Sequence, residues 1–214
     1  MKKLFTFIIL TIGFTVSAQI ATSGTTNSGT NASAIGFNTT ASNTVSTAMG
    51  RETLASGVTS TAMGYQTSAT NTASTAIGNN STASGITSTA IGNNSTASGE
   101  TSIAMGFETE ANNSASIAMG YQTSSTEGAS TAMGFKTTAS GFGSTSIGYE
   151  TTASGNSSAA MGWLTAANGK ASIAMGKSTI ASDFGSLVIG QYNLSGSTVT
   201  NSALLPNPAN TAFV

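Results

Sequence analysis

Two carboxylates, Glu108 and Glu110, are the residues whose type and spacing come nearest to a catalytic acid pair or a calcium site. The sequence has no histidine and no cysteine, which excludes a Ser-His-Asp triad, a thiol nucleophile and the usual zinc sites. The positions fourteen residues before and after Glu108 hold Asn94 and Gln122, so the acidic groups do not accumulate into a cluster. We therefore expect no catalytic residue, no metal site and no cofactor, and we do not expect an enzyme.

A glycine that recurs every fourteen residues, without insertion, organises most of the chain. It closes tetrapeptides such as Thr-Ala-Met-Gly at 61–64, and a Thr or Ser follows three residues later and an Ala five residues later. A disordered Ser/Thr/Gly-rich tract has no need of a fixed period, so the repeat indicates folded structure. We interpret these glycines as structural turn residues: Gly36, Gly50, Gly64, Gly78, Gly92, Gly106, Gly120, Gly134, Gly148, Gly162, Gly176 and Gly190.

The alternation of large and small residues within each unit is typical of strands, and the frequent Gly and β-branched Thr disfavour a helix. Two strands of about five residues fill one unit, so each unit is predicted to be one coil of an all-β parallel solenoid. The residue before each glycine is interpreted as the spine of the core and is called the Met/Ile column. Its members are Ile35, Met49, Met63, Ile77, Ile91, Met105, Met119, Met133, Ile147, Met161, Met175 and Ile189.

The alanines of the second strand are expected to pack opposite the Met/Ile column. They are Ala41, Ala55, Ala69, Ala83, Ala97, Ala111, Ala139, Ala153, Ala167 and Ala181. The small Ser/Ala/Gly face of the first strand would then be exposed on a lone chain. Oligomerisation is the expected remedy, although the residues alone do not set the number of copies.

The position after each glycine carries an aromatic stripe of Phe37, Tyr65, Phe107, Tyr121, Phe135, Tyr149 and Trp163. We interpret it first as stacking between coils at the edge of the solenoid, with contact to sugar rings or a protein ligand as the alternative. Arg51 and Lys177 share this column and are expected to lie on Tyr65 and Trp163 as cation–π pairs. An ion pair is expected between Lys136 and Glu150 in the next column, one coil apart.

A rank of threonines raises a rival hypothesis, an ice-binding solenoid. The rank consists of Thr39, Thr53, Thr67, Thr109, Thr123, Thr137, Thr151, Thr165 and Thr179. These threonines share a strand face with the core alanines, so we expect them to point inward, which disfavours this hypothesis.

The start of the chain resembles a secretory signal. Lys2 and Lys3 precede an apolar stretch that ends at Val16-Ser17-Ala18, so residues 1–18 are predicted to be cleaved and the protein to be secreted. We expect a lead-in and partial first coil at 19–32, repeats at 33–196, and a C-terminal extension at 197–214 that is truncated if the protein continues. No later stretch is apolar for long enough to span a membrane, and no basic patch suits nucleic acid.

The repeats resemble the head repeats of YadA-type trimeric autotransporter adhesins. Ser102-Ile103-Ala104-Met105-Gly106 with Thr109, Ala111 and Asn113 fits the family pattern, as does 172–176 with Thr179 and Ala181. The resemblance implies a left-handed parallel β-roll, a homotrimer, a place at the cell surface or outer membrane, and attachment to matrix proteins, glycans or other surfaces. Two alternatives remain, a structural spacer or fibre segment that projects another domain and, less favoured, the ice-binding solenoid.

Overall fold

The computed structural model describes residues 23–193, which form two parallel sheets of 12 strands each. Each strand pairs in register with the equivalent strand fourteen residues away, so that Met105 lies beside Met119. None of the described residues is helical. The predicted parallel β-solenoid with fourteen-residue coils is therefore confirmed, whereas the predicted signal peptide at 1–18 and the extension at 197–214 lie outside the described residues.

The two sheets differ in strand length. The long sheet has five-residue strands: β2 Ser33–Phe37, β4 Thr47–Arg51, β6 Thr61–Tyr65, β8 Thr75–Asn79, β10 Thr89–Asn93, β12 Ile103–Phe107, β14 Ile117–Tyr121, β16 Thr131–Phe135, β18 Thr145–Tyr149, β20 Ala159–Trp163, β22 Ile173–Lys177 and β24 Leu187–Gln191. The short sheet has two-residue strands: β1 Thr26–Asn27, β3 Thr40–Ala41, β5 Leu54–Ala55, β7 Ser68–Ala69, β9 Thr82–Ala83, β11 Thr96–Ala97, β13 Glu110–Ala111, β15 Ser124–Ser125, β17 Thr138–Ala139, β19 Thr152–Ala153, β21 Ala166–Ala167 and β23 Ile180–Ala181. The expected length of about five residues is right for the first strand of each coil and too long for the second.

Each coil turns at two residues held in the left-handed helical conformation. In one coil these are Gln66, with φ of 52°, and Ala73, with φ of 54°. For residues other than glycine this conformation costs about 1–2 kcal/mol. The Gln66 N–H donates to the Arg51 carbonyl of the preceding coil at 2.9 Å, and the Ala73 N–H donates to the Val58 carbonyl at 2.8 Å. The stacking of coils therefore offsets the strain of the turns.

The repeated glycine lies inside the long strand, as the fourth of its five residues, and the left-handed turn residue comes two positions later. Gly106 has a φ of 136°, a conformation that other residues rarely adopt. A Cβ atom on Gly106 would lie 1.9 Å from the carbonyl oxygen of Gly120 in the next coil. The glycine is thus required by a close approach between coils as well as by the bend that leads into the turn.

The interior is lined by small residues, and the predicted Met/Ile core is wrong. The residue that precedes a member of the Met/Ile column is an alanine in most coils and, as at Ala104 and Ala118, is fully buried, and so is the alanine column of the short sheet. The Met/Ile column points outward and is half-buried or exposed, with Met49 37% exposed. The face expected to be exposed on a lone chain is therefore the core, because two sheets joined by such short coils leave room for Ala, Ser and Thr but not for Met.

Hydroxyl groups fill the two ends of this narrow interior. At one end a serine donates to a nearby carbonyl, as Ser60 Oγ does to the Gly57 oxygen at 2.8 Å. At the other end the threonine rank is buried, as predicted, and the Oγ1 of Thr137 has no hydrogen-bond partner. Thr151 differs, because its Oγ1 lies 2.7 Å from the Oγ of Ser146, a serine in the place of a core alanine. The buried threonine hydroxyls therefore differ in hydrogen bonding: that of Thr151 has a partner, and that of Thr137 has none.

The last described coil ends in a side-chain cap. In the preceding coil the N–H of Ala166 donates to the main-chain carbonyl of Thr179. The corresponding N–H of Ile180 donates to the side-chain Oδ1 of Asn193 at 2.6 Å, and Asn193 Nδ2 donates to the Ile180 carbonyl at 2.7 Å. One carboxamide thus takes the place of a peptide group from a further coil and satisfies the edge of the short sheet.

Candidate functional site

The outer face of the long sheet carries apolar side chains on all twelve of its described strands. Two outward columns form this face. One is the Met/Ile column. The other, called the Thr/Ile column, consists of the residue two positions before each member of the Met/Ile column, such as Ile103 and Ile117. The alternation of a strand places these side chains outward because the alanine and serine between them fill the interior. A continuous strip of exposed apolar side chains indicates a contact surface.

A shallow apolar groove runs along this outer face in the middle of the roll. Its floor is glycine backbone, from Gly92 to Gly134, and its wall consists of Ile91, Met105, Met119 and Met133. No charged residue lines it. The groove exists because the glycines repeated every fourteen residues have no side chains. The backbone between the Met/Ile column and the aromatic stripe is therefore exposed to solvent.

The aromatic stripe borders the groove and contains a continuous ladder of five rings from Phe107 to Trp163. The centroids of Phe107 and Tyr121 are 4.9 Å apart with ring planes 7° apart, and the same values recur up to Tyr149. Trp163 ends the ladder at 5.0 Å with a tilt of 44°. The predicted stacking between coils is confirmed for these five rings, whereas Phe37 and Tyr65 have Arg51 between them.

Stacking limits which parts of the aromatic rings a ligand can contact. Tyr121, Phe135 and Tyr149 each have a neighbouring ring on both flat faces. Tyr121 is nevertheless 40% exposed and Trp163 51% exposed, so ring edges and tyrosine hydroxyls face the solvent. A sugar ring therefore cannot lie flat between these rings, and any contact would be made with their edges.

Two cations in the same column contact rings of the stripe. The Arg51 guanidinium lies 5.8 Å from the Phe37 centroid and 5.4 Å from the Tyr65 centroid, and Lys177 Nζ lies 5.7 Å from the Trp163 centroid. Both predicted cation–π pairs are confirmed. A further ring that sequence reasoning missed, Tyr192, lies on the other side of Lys177 at 5.2 Å.

The predicted ion pair between Lys136 and Glu150 is wrong. Lys136 Nζ lies 5.3 Å from the centroid of Phe135 instead. Within residues 23–193 the ion pair that forms joins Arg51 Nε to Glu52 Oε1 at 3.2 Å, and its arginine is largely exposed. Such a surface pair contributes roughly 0–1 kcal/mol.

Glu108 and Glu110 lie beside a polar depression at the turn. The depression is lined by both glutamates together with Asn94, Gln122 and residues 123–124. Gln122 Nε2 donates to the Glu108 carboxylate at 2.6 Å. Across the part of the chain that the structure describes, no group of three acidic, histidine or cysteine side chains is placed to hold a metal ion. Glu108 is therefore engaged in a hydrogen bond between coils.

The buried threonine rank does not present an ice-binding surface. Thr39, Thr109 and Thr179 are each 0% exposed, as predicted from the strand face that they share with the core alanines. Other threonines do face outward. They lie in the Thr/Ile column, where a run that ends at Thr89 is followed by Ile103, and on the short sheet, as Thr138 does. This rank therefore gives no support to the ice-binding hypothesis.

Comparison with known families identifies the repeats. The YadA head domain repeat matches at residues 28–53, 55–81, 83–109, 139–165 and 167–193. The chain therefore belongs to the YadA head family, whose members are adhesin heads that are trimeric in general. No curated protein matches the chain. Among residues 23–193 no helix is long and apolar enough to cross a membrane.

The five matched segments leave out residues 110–138, yet the coils continue there in register. Ser125 takes the place of a core alanine and still pairs with Ala139. Its Oγ lies 2.6 Å from the Oγ of Ser130, so the substituted hydroxyl is satisfied inside the roll. The unmatched stretch is a variation of the same coil rather than a break between two domains.

Proposed function

We propose that this chain is the non-enzymatic head of a cell-surface adhesin and that it works as a homotrimer. Membership of the YadA head family carries the proposal, because the heads of that family are adhesive and trimeric in general. The ligand is an extracellular-matrix protein, a glycan or another surface.

The outer face of the long sheet is the surface by which three copies meet. Its supporting observation is the uninterrupted Met/Ile column, which is apolar on all twelve coils and outward in each. The opposite side of the roll carries mostly Ser, Thr and Asn on its outward positions. Copies that meet through the Met/Ile column remove apolar surface from water and leave the polar sides free, which is the favourable arrangement.

The aromatic stripe is the proposed ligand-contact surface, at the rim of this face. Ring edges and tyrosine hydroxyls at Tyr121 and Tyr149 combine apolar contact with hydrogen bonding, a combination frequent at protein interfaces. The same rings also stabilise the stacking of coils, so their role in binding has to be tested apart from their role in stability.

Assembly is tested by the mass of the secreted protein in solution, measured by light scattering and sedimentation. We expect three copies for the wild type. The double variant Met119→Asp with Met133→Asp places two charges on the outer face and should give monomers that retain β-structure by circular dichroism. The matched control, Thr138→Asp with Thr152→Asp, places two charges on the outward side of the short sheet and should stay trimeric. A monomeric wild type, or equal behaviour of the two variants, contradicts the proposed interface.

Adhesion is tested by binding of the trimer to immobilised matrix proteins, a glycan array and abiotic surfaces. We expect saturable binding to at least one of them, reduced by Tyr121→Ser while the melting temperature of that variant stays within a few degrees of wild type. If the trimer binds none of the surfaces, a structural spacer replaces the adhesin as the better account.

A further inference from the structure

All methionines of the chain beyond Met1 lie in a single column. The sequence has eight methionines, and the seven after Met1 are members of the Met/Ile column: Met49, Met63, Met105, Met119, Met133, Met161 and Met175. The other five members of that column are isoleucine. Thioether sulfur is therefore confined to one strip on one side of the roll.

This strip is open to small reagents on the isolated chain, whereas the interior contains no methionine. Met49 is 37% and Met133 is 36% exposed, and the other five are half-buried rather than buried. The inward positions of the described coils are filled by Ala, Ser and Thr, with Val188 in the last. Reagents that modify methionine thus reach the outer face without entering the fold.

We propose that the methionine column is an oxidation site by which hydroperoxides control assembly of the protein, an inference that rests on the proposed homotrimer. The sulfur lone pair of a methionine attacks one oxygen of hydrogen peroxide, a sulfur–oxygen bond forms and the oxygen–oxygen bond breaks. The departing oxygen takes up a proton and leaves as water. Sulfur loses two electrons to the peroxide, and the product is methionine sulfoxide.

Oxidation changes the outer face from apolar to polar. Met105 and Met119 are flanked in their own strands by Ile103 and Ile117, and glycine backbone lies on their other side. At these two positions the neighbours offer few donors to a sulfoxide oxygen, so burial of oxidised Met105 and Met119 against another copy would leave acceptors unsatisfied. The oxidised chain should therefore keep its coils and lose its partners.

The chain itself supplies the matched control. Isoleucine already occupies the column at Ile35, Ile77, Ile91, Ile147 and Ile189, so the coil accepts isoleucine at this position. A variant with isoleucine at all seven methionine positions of the column retains the apolar face and has no sulfur to oxidise on it.

The experiment treats dilute, dissociated wild-type protein with hydrogen peroxide and then measures assembly by sedimentation. Mass spectrometry should show up to seven added oxygens, and the dissociation constant of the assembly should rise by at least about 100-fold while the circular dichroism spectrum is unchanged. Methionine sulfoxide reductase should restore assembly, and the seven-isoleucine variant should assemble equally well with and without peroxide. Protein assembled before treatment should take up oxygen more slowly.

Three results would overturn the inference: unchanged assembly of oxidised wild type, loss of β-structure on oxidation, or equal loss of assembly in the peroxide-treated seven-isoleucine variant. Failure of the underlying homotrimer is recognised separately, because then the untreated wild type does not assemble at all.

Discussion

The interior of the roll and the outer face of its long sheet are built by alternate residues of the same five-residue strands, yet they tolerate very different side chains. Inward positions hold Ala or Ser along nearly the whole axis, with Val188 as the largest departure in the last described coil. Outward positions hold Thr, Ile, Ala, Leu and Met. The interior is limited by the distance between the two sheets, whereas the outer face is limited only by what it contacts.

The largest loss of stability is expected from substitution of a repeated glycine, because the neighbouring coil leaves no space there for a side chain. Gly106→Ala should destabilise the protein by at least about 3 kcal/mol, because its Cβ would lie 1.9 Å from the Gly120 carbonyl oxygen and its φ of 136° is unfavourable for alanine. Thermal and urea denaturation measure the loss.

Gly190→Ala is the control for that substitution. Gly190 has a similar φ of 130°, but no atom of residues 23–193 lies within 4 Å of the position of its Cβ. We expect a clearly smaller loss of stability than for Gly106→Ala. Equal losses would show that the backbone conformation, and not the approach of the next coil, makes the glycine necessary.

A pair of adjacent substitutions compares the two sides of one strand directly. Ala118→Met forces a long side chain into the interior and should destabilise the roll by about 3 kcal/mol, since overpacking displaces neighbours that have little freedom to move. Met119→Ala removes an outward side chain and should change the stability of the monomer by less than about 1 kcal/mol. Both are measured by urea denaturation at low protein concentration. If Met119→Ala is the more damaging of the two, the assignment of inside and outside is wrong.

Replacement of threonine by valine is expected to change the stability in opposite directions at two positions of the buried threonine rank. Thr137→Val removes a buried hydroxyl that has no partner and should stabilise the protein by about 1 kcal/mol. Thr151→Val removes the partner of Ser146 and should destabilise it by about 1–2 kcal/mol, because the serine hydroxyl is then left unsatisfied. Melting temperatures that shift in the same direction would contradict this distinction.

A small effect is also expected at the aromatic ladder. Tyr121→Leu removes a ring that stacks on Phe107 and Phe135, which should cost about 1 kcal/mol. Asn79→Leu, in the same column where no ring pair exists, should stay within about 0.5 kcal/mol of wild type. A change in stability of the same size in both variants would indicate that stacking adds nothing beyond apolar contact.

The sequence allowed several features to be predicted correctly. The fourteen-residue period predicted the parallel register. Thr39 and Ala41 are two residues apart on one strand face, which predicted that both are buried. Arg51 and Tyr65 share a column, which predicted their cation–π contact. These predictions depend only on which residues are equivalent and on which residues share a strand face.

Other predictions failed for a physical reason. A period of two separates the faces of a strand without saying which face is inside, and the ordinary preference for burying large apolar residues pointed to the Met/Ile column. The ion pair of Lys136 also failed, because equivalence in a column does not fix the direction of a long side chain, and the Lys136 ammonium lies over the ring of Phe135 instead.

The sequence by itself determined the repeat, the register, the parallel β-solenoid and the absence of histidine and cysteine chemistry, because all of these follow from residue types and their spacing. Only the tertiary structure decided which face is the core. Two sheets joined by two tight left-handed turns lie too close together for methionine, so alanine, serine and threonine fill the inside. The apolar side chains that remain outside form the surface on which the proposed assembly and its proposed sensitivity to oxidation depend.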